Sequence, residues 1–129
     1  MRKVMLMMLL AVVSSNAVAE WVKIGSSENI TTYVDLATIR KTGNKVKMWN
    51  LLDLKSARGE DTGKPYMSAK GQQEYDCKKK QLRKLAVSFH SGNMGAGEVA
   101  YIDYDFGKWI PVSPGSINEA MWKVACRKQ

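Results

Sequence analysis

Apolar and polar side chains alternate along most of the chain in short runs that end at turn residues. A period of two places successive side chains on opposite faces of an extended backbone and is typical of antiparallel strands. The alternating runs cover residues 21–24, 30–34, 45–54, 66–77, 81–90 and 98–104. Between the first two runs, Gly25, Ser26 and Ser27 predict a hairpin turn.

Three details of the pattern add to this outline. Asp35 is a good N-cap residue and predicts a short helical turn through Ile39. Residues 55–65 combine two glycines, a proline and mixed charge, and predict a loop. The run 66–77 is apolar on only part of one face, so we expect this strand to lie near an edge of the sheet.

The chain ends in a predicted amphipathic helix with a clear start signal. Ser116 and Glu119 have the S-x-x-E spacing of a capping box, in which both side chains accept hydrogen bonds from backbone N–H groups at the helix start. An apolar stripe with helical spacing then predicts the face that packs on the sheet. The stripe comprises Ile117, Met121, Val124 and Ala125, with Trp122 beside it.

The first 19 residues have the three parts of a secretory signal peptide in order. Arg2 and Lys3 precede an apolar run over residues 4–13, and the small residues 17–19 follow. An apolar run of about ten residues is too short to span a bilayer as a helix. Cleavage would leave Glu20 first, where a bacterial lipid anchor needs a cysteine. We therefore expect an exported single domain, 20–129, without a membrane span or a lipid anchor.

Two cysteines, Cys77 and Cys126, lie in the predicted mature chain. An even number of cysteines in an oxidising compartment indicates a disulfide. Closing a loop of about 50 residues would stabilise the fold by roughly 4 kcal/mol, and it would join the final helix to the strand that ends at Cys77. The alternatives are a reactive free thiol and half a metal site. A metal site needs more ligands than two cysteines and the single His90 easily supply.

The predicted mature chain is basic. Without Arg2 and Lys3, 18 basic residues stand against 12 acidic ones, a formal charge of +6. A basic surface favours acidic protein or glycan partners, whereas export and the lack of a nucleic-acid-binding motif argue against nucleic acid. The densest candidate surface combines a basic run with a nearby aromatic ring and comprises Tyr75, Lys78, Lys79, Lys80, Arg83 and Lys84. The alternative is a solvated turn whose lysines blunt an edge strand.

Candidate catalytic groups are sparse. We expect His90 to lie exposed at a strand end beside Ser91, where a lone histidine is weak evidence for catalysis. Glycines at 92, 95 and 97 lack the lysine and hydroxyl of a phosphate loop and predict a flexible hairpin connection. Two carboxylate pairs, Asp103 with Asp105 and Glu60 with Asp61, have spacings that are common in turns. The sequence therefore predicts no catalytic site, cofactor or metal.

Three segments of the mature chain carry a resemblance to a known family. They are YVDLATIRKTGNKVKMWNLLD at 33–53, EYDC at 74–77 and MWKVAC at 121–126. With these segments the chain resembles the surface-adhesin protein E family over nearly all of its mature length. The resemblance implies an α+β fold, in which a C-terminal helix packs on an antiparallel sheet of about six strands. It also implies a Cys77–Cys126 disulfide and adhesion to host matrix proteins, and leaves a homodimer open.

Two functions follow from these observations. The first is an exported, non-enzymatic, adhesin-like protein that recognises a host matrix protein or another acidic partner. The second is a soluble periplasmic accessory protein or enzyme inhibitor, because the predicted mature chain has no anchor. Either function is compatible with a periplasmic or secreted protein, and the first also with association with the cell surface.

Overall fold

A computed structural model describes residues 20–59 and 63–127, which form an antiparallel sheet with one helix packed against it. Six strands follow one another across the sheet in sequence order, and a short seventh pairs with the start of the fifth. The strands are β1 (Val22–Ser26), β2 (Ile30–Thr42), β3 (Lys45–Arg58), β4 (Tyr66–Asp76), β5 (Gln81–His90), β6 (Val99–Asp103) and β7 (Ile110–Pro111). The helix α1 spans Ile117–Arg127. The predicted architecture is confirmed, whereas the predicted signal peptide lies outside the described residues.

The core lies between α1 and one face of the sheet. Val46, Tyr75 and Leu82 are opposite one another on β3, β4 and β5, and all three are buried. Each buried side chain of this size stabilises the fold by about 1.5–3 kcal/mol relative to an exposed one. The other buried members of the core are Val34, Met48, Val112, Met121, Ala125 and Cys126.

The helix begins where the sequence predicts. The Glu119 N–H donates to Ser116 Oγ at 3.1 Å, while Glu119 Oε1 accepts from the Gly115 N–H at 3.0 Å, one residue earlier than in the standard capping box. Of the predicted stripe, Met121 and Ala125 are buried and Ile117 remains 40% exposed. The packed face is therefore centred on the second half of the helix.

The predicted helical turn after Asp35 is wrong. The extended strand β2 continues to Thr42, with an irregularity in its pairing to β3 between Asp35 and Arg40. Within it, Asp35 Oδ1 accepts from the Ala37 N–H at 3.1 Å, and the Thr38 hydroxyl donates to the Asp35 carbonyl at 2.6 Å. Thr38 Oγ1 also accepts from the Trp49 N–H of β3 at 3.0 Å. Asp35, which was expected to cap a helix, therefore stabilises an irregularity within the strand.

Two other expectations about the strands are wrong. Strand β3 continues to Arg58 in the segment predicted to be a loop, and Arg58 pairs with Tyr66 of β4. Strand β4 lies between β3 and β5 and is not near an edge. On the face of β4 that α1 covers, the missing side chain of Gly71 leaves room for Asn50 of β3. Asn50 Nδ2 in turn lies 3.3 Å from Met121 Sδ of the helix.

The disulfide between Cys77 and Cys126 is confirmed. It joins the residue after β4 to the last turn of α1, with 5.6 Å between the two Cα atoms and a sequence separation of 49. The Trp122 indole N–H donates to the Asp76 carbonyl at 3.0 Å beside it. The helix is thus held to the end of β4 by a covalent bond and a hydrogen bond.

Replacing Cys77 and Cys126 together by alanine should lower the free energy of unfolding by about 2–4 kcal/mol, because the unfolded chain regains the entropy of an open loop. Thermal unfolding followed by circular dichroism should show a Tm about 10 °C or more lower. As a control, a reducing agent should lower the Tm of the unmodified protein and leave the variant unchanged. A variant with the parental Tm would contradict the structural role of the disulfide.

Candidate binding surface

The basic turn between β4 and β5 has a fixed backbone. Asp76 Oδ1 accepts from the N–H groups of Lys78 at 3.0 Å and Lys79 at 2.9 Å. Lys80 adopts a left-handed conformation with φ of 54°, and its carbonyl accepts from the Val112 N–H. Lys78 and Lys79 are exposed and form no salt bridge within the described residues. The turn therefore presents two ammonium groups to solvent on a rigid backbone.

The other three predicted cations are paired. Lys80 Nζ lies 3.1 Å from Glu119 Oε2 and 5.4 Å from the centre of the Trp122 ring, so it connects the turn to α1. Lys84 Nζ lies 2.5 Å from Asp103 Oδ2 on β6. Arg83 Nη2 lies 2.8 Å from Glu74 Oε1 on the neighbouring strand β4. Pairing with carboxylates reduces the charge that Lys80, Arg83 and Lys84 present to a partner.

Tyr75 does not belong to this surface, and its predicted place beside the basic run is wrong. Its side chain is fully buried under α1, and its hydroxyl donates to Gln73 Oε1 at 2.8 Å. Burial raises the pKa of the Tyr75 phenol. The reason is the period of two: Tyr75 faces the helix, whereas Glu74 and Asp76 on either side face away from it.

Residues from two other segments join the cations on the face of the sheet opposite α1. Lys45 and Lys47 of β3 are opposite Asp76 and Glu74, and Glu74 is opposite Arg83. The Arg83 guanidinium carbon lies 4.7 Å from the ring centre of Trp109 and 5.1 Å from that of Phe106. We call this group the cation–aromatic face, extended at the sheet end by the basic turn; it comprises Lys45, Lys47, Lys78, Lys79, Arg83, Phe106 and Trp109.

Sequence reasoning missed four members of this face for two reasons. The alternation in β3 puts Lys45 and Lys47 on one face, but their alignment with Arg83 depends on the register across β4. Knowing that register would have identified both lysines. Phe106 and Trp109 lie in the connection after β6, where no periodic pattern fixes the direction of a side chain.

The electrostatics of the cation–aromatic face favour an acidic partner. Its cations outnumber the two carboxylates among them, Glu74 and Asp76. The Lys79 N–H, then the Lys78 N–H and the charge of Lys45, hold the pKa of Asp76 below its usual range. Phe106 adds an aromatic ring that is 65% exposed. Aromatic residues and arginine are enriched in protein-binding surfaces.

His90 is buried, so the prediction of an exposed histidine is wrong. Its Nε2 lies 2.8 Å from Ser88 Oγ, rather than bonding the adjacent Ser91. Burial, and next the charge of Lys70, lower the pKa of His90. A nucleophilic site of the serine–histidine kind also has a carboxylate that orients the histidine ring. In the described part of the chain, no carboxylate hydrogen bonds to His90.

The glycine-rich connection is anchored to the sheet. Its 3-10 turn, Asn93–Gly95, packs against β3 and β4. The Asn93 side chain donates to Asp53 Oδ1 at 3.0 Å and to the Leu54 carbonyl at 2.8 Å, and the Gly95 N–H donates to Ser68 Oγ at 2.9 Å. The turn covers this part of the sheet and offers no phosphate cradle.

The candidate carboxylate pairs have structural partners where they are described. Asp103 accepts from Lys84 and from the Asp105 N–H at 2.8 Å, and both bonds lower the pKa of Asp103. Glu60 and Asp61 lie outside the described residues. Within 20–59 and 63–127, no group of three or more His, Cys, Asp or Glu side chains is arranged to hold a metal ion. In the same ranges, no helix has the length and apolar character needed to cross a membrane.

Acid should destabilise the basic turn through Asp76. A carboxylate whose pKa is lowered on folding contributes stability above its unfolded pKa of about 3.9, and loses it as the pH falls through the folded pKa. We expect Asp76→Asn to lower the Tm by about 2–4 °C at pH 7, and the difference from the parent to shrink below about pH 4. Glu28→Gln, at an exposed position, should leave the Tm unchanged. A difference for Asp76→Asn that is constant from pH 2 to 7 would contradict this role.

Solved structures of Haemophilus influenzae protein E share the fold. Crystal form II has a TM-score of 0.63 at 13% identity and covers 87% of this chain and 98% of that chain. The selenomethionine form has a TM-score of 0.67 at 12% identity and covers 88% and 90%. Protein E from non-typeable Haemophilus influenzae has a TM-score of 0.61 at 14% identity and covers 86% and 79%. At these identities the similarity shows a common fold.

The sequence also matches a family model. The model described as surface-adhesin protein E matches residues 21–127, which include both cysteines, the basic turn and the whole of α1. Comparison with curated protein sequences finds no significant match. The resemblance seen in the three sequence segments is confirmed. Because the model matches most of its length, the chain belongs to the surface-adhesin protein E family.

Proposed function

We propose that this protein is an exported, non-enzymatic, adhesin-like binding protein whose cation–aromatic face recognises an acidic segment of a host matrix protein. The observation that carries the proposal is the arrangement of the basic turn. Lys78 and Lys79 are exposed on a backbone held by Asp76, next to the strands that bear Lys45 and Arg83. A binding site of this kind needs little ordering before it meets a partner.

Membership of the surface-adhesin protein E family supports the adhesin-like role. The charge of the face supports an acidic partner, because complementary charge steers encounter and suppresses wrong partners. Phe106 supports a protein partner, because an aromatic ring that is 65% exposed can bury apolar area that a purely ionic surface cannot. Binding through this face should weaken as salt rises, since exposed charges are screened within about 8 Å at physiological ionic strength.

The surroundings of the one histidine support a function without catalysis. His90 is buried and its described hydrogen bond goes to Ser88. Its lowered pKa leaves the ring neutral at physiological pH, as a base requires, but the Ser88–His90 pair has no described carboxylate partner. The position of His90 follows from packing, because the 3-10 turn of the glycine-rich connection lies against β4 and β5.

Charge reversal at the basic turn tests the proposal. We expect Lys78→Glu with Lys79→Glu to reduce binding to an immobilised basement-membrane extract at least tenfold, because two attractive charges become repulsive. Biolayer interferometry at 50 and 150 mM salt would measure the change.

The control is Lys23→Glu with Lys55→Glu, which makes the same change of charge at two exposed positions elsewhere on the sheet. Loss of binding in both variants to the same extent would show a dependence on net charge alone. Full binding by the Lys78 and Lys79 variant would remove the basic turn from the proposal. Phe106→Ala should weaken binding without changing its salt dependence.

The place of the protein in the cell tests the adhesive role separately. If the cation–aromatic face meets host proteins, protease added to intact cells should digest the protein. Cell fractionation with a periplasmic marker is the control for leakage. Protection in intact cells, together with release in the periplasmic fraction, would contradict adhesion and favour the periplasmic accessory or inhibitor role.

A further inference from the structure

A cleft lies at the end of the sheet away from the basic turn, where β4 begins and β5 ends. It has a volume of about 660 Å³ and a largely apolar lining. Its lining residues come from the four strands β3 to β6 and from the connection between β3 and β4, and they are Arg58, Gly59, Lys64, Tyr66, Phe89, Ala100 and Tyr101. Cavities of about 300–1,000 Å³ commonly hold small molecules.

Three aromatic rings on adjacent strands form the wall of the cleft. The ring centres of Tyr66 and Phe89 are 4.6 Å apart, and those of Phe89 and Tyr101 are 5.8 Å apart. Phe89 is opposite Ala69, which is opposite Leu52, so the cleft lies on the helix side of the sheet. Helix α1 does not extend over it, and Tyr101 remains 60% exposed. The rings thus face an open cavity instead of the core.

Two cations complete the cleft. Arg58 and Lys64 both line it, and neither forms a salt bridge with a described residue. Among the lining residues that the structure describes there is no carboxylate. Residues 60–62, which connect Gly59 to Gly63 in sequence, lie outside the described residues, and the proposal uses none of them. A ligand here would meet aromatic faces and positive charge together.

We propose that the cleft is a separate binding site for a small aromatic carboxylate. The ligand ring packs against Phe89 and Tyr101, since aromatic rings favour offset or edge-to-face contacts at these separations. The ligand carboxylate binds Arg58 and Lys64, where a guanidinium can donate two parallel hydrogen bonds. The site lies on the other face and at the other end of the sheet from the cation–aromatic face, so it does not depend on the proposed adhesive function.

Titration of the isotope-labelled mature protein with 3-phenylpropionate, followed by amide chemical shifts in NMR spectra, tests this site. Shifts should be confined to the backbone around Lys64, Tyr66, Phe89 and Tyr101. The neutral analogue 3-phenylpropanamide should bind the same place about tenfold more weakly, because it retains the ring and loses the charge. 3-Phenylpropionate shifts that are absent up to millimolar ligand, or that appear elsewhere, would overturn the proposal.

Variants separate the two contributions. Arg58→Gln with Lys64→Gln should reduce the affinity for 3-phenylpropionate about tenfold, to that for the amide. Phe89→Leu should reduce the affinity for both 3-phenylpropionate and 3-phenylpropanamide. Lys55→Gln, at a neighbouring exposed position of β3, is the matched control and should change neither affinity. Equal affinity for the acid and the amide in the unmodified protein would overturn the role of the cations. Unchanged binding in Phe89→Leu would overturn that of the rings.

Discussion

The Cys77–Cys126 disulfide fixes where helix α1 lies on the sheet, and the rest of the structure depends on that position. The disulfide and the Trp122 hydrogen bond to Asp76 hold the C-terminal end of α1 at the end of β4. Met121 and Ala125 then pack on the row formed by Val46, Tyr75 and Leu82. An 11-residue helix is about 16 Å long, whereas 14 residues of β3 extend about 46 Å. The helix can therefore cover only one end of the sheet.

Two surfaces of different chemistry follow from this coverage. Under the helix, the period of two buries one set of side chains on β3, β4 and β5, and it turns Lys45, Lys47 and Arg83 to the opposite face. Beyond the helix, Phe89 lies on the same face of the sheet as the core but lines an open cleft. Charge thus accumulates on one face at the disulfide end, and aromatic area on the other face at the far end.

Much of the fold could be predicted because local patterns carry it. The alternating runs located the six main strands, the S-x-x-E spacing located the helix, and two cysteines in a chain predicted to be exported predicted the disulfide. The strand irregularity after Asp35 could not be predicted, because a capping aspartate and a strand irregularity use the same short hydrogen bonds. The sequence also could not show that β4 lies inside the sheet, because the side chains that cover it come from residues distant in sequence. One example is Asn50, which fills the space at Gly71.

The candidate site was predictable only along one segment. The basic run was visible in the sequence, but its pairing with Glu119 and Asp103, and the addition of Lys45 and Trp109, depend on strand register and on an irregular connection.

The central claim is that the cation–aromatic face binds an acidic partner. Carbodiimide cross-linking of the disulfide-bonded protein to a basement-membrane extract, with mass spectrometry of the products, tests this claim most directly. Partner carboxylates should be joined mainly to Lys45, Lys47, Lys78 and Lys79. Cross-links concentrated at Lys23 and Lys55, or spread evenly over the exposed lysines, would contradict it.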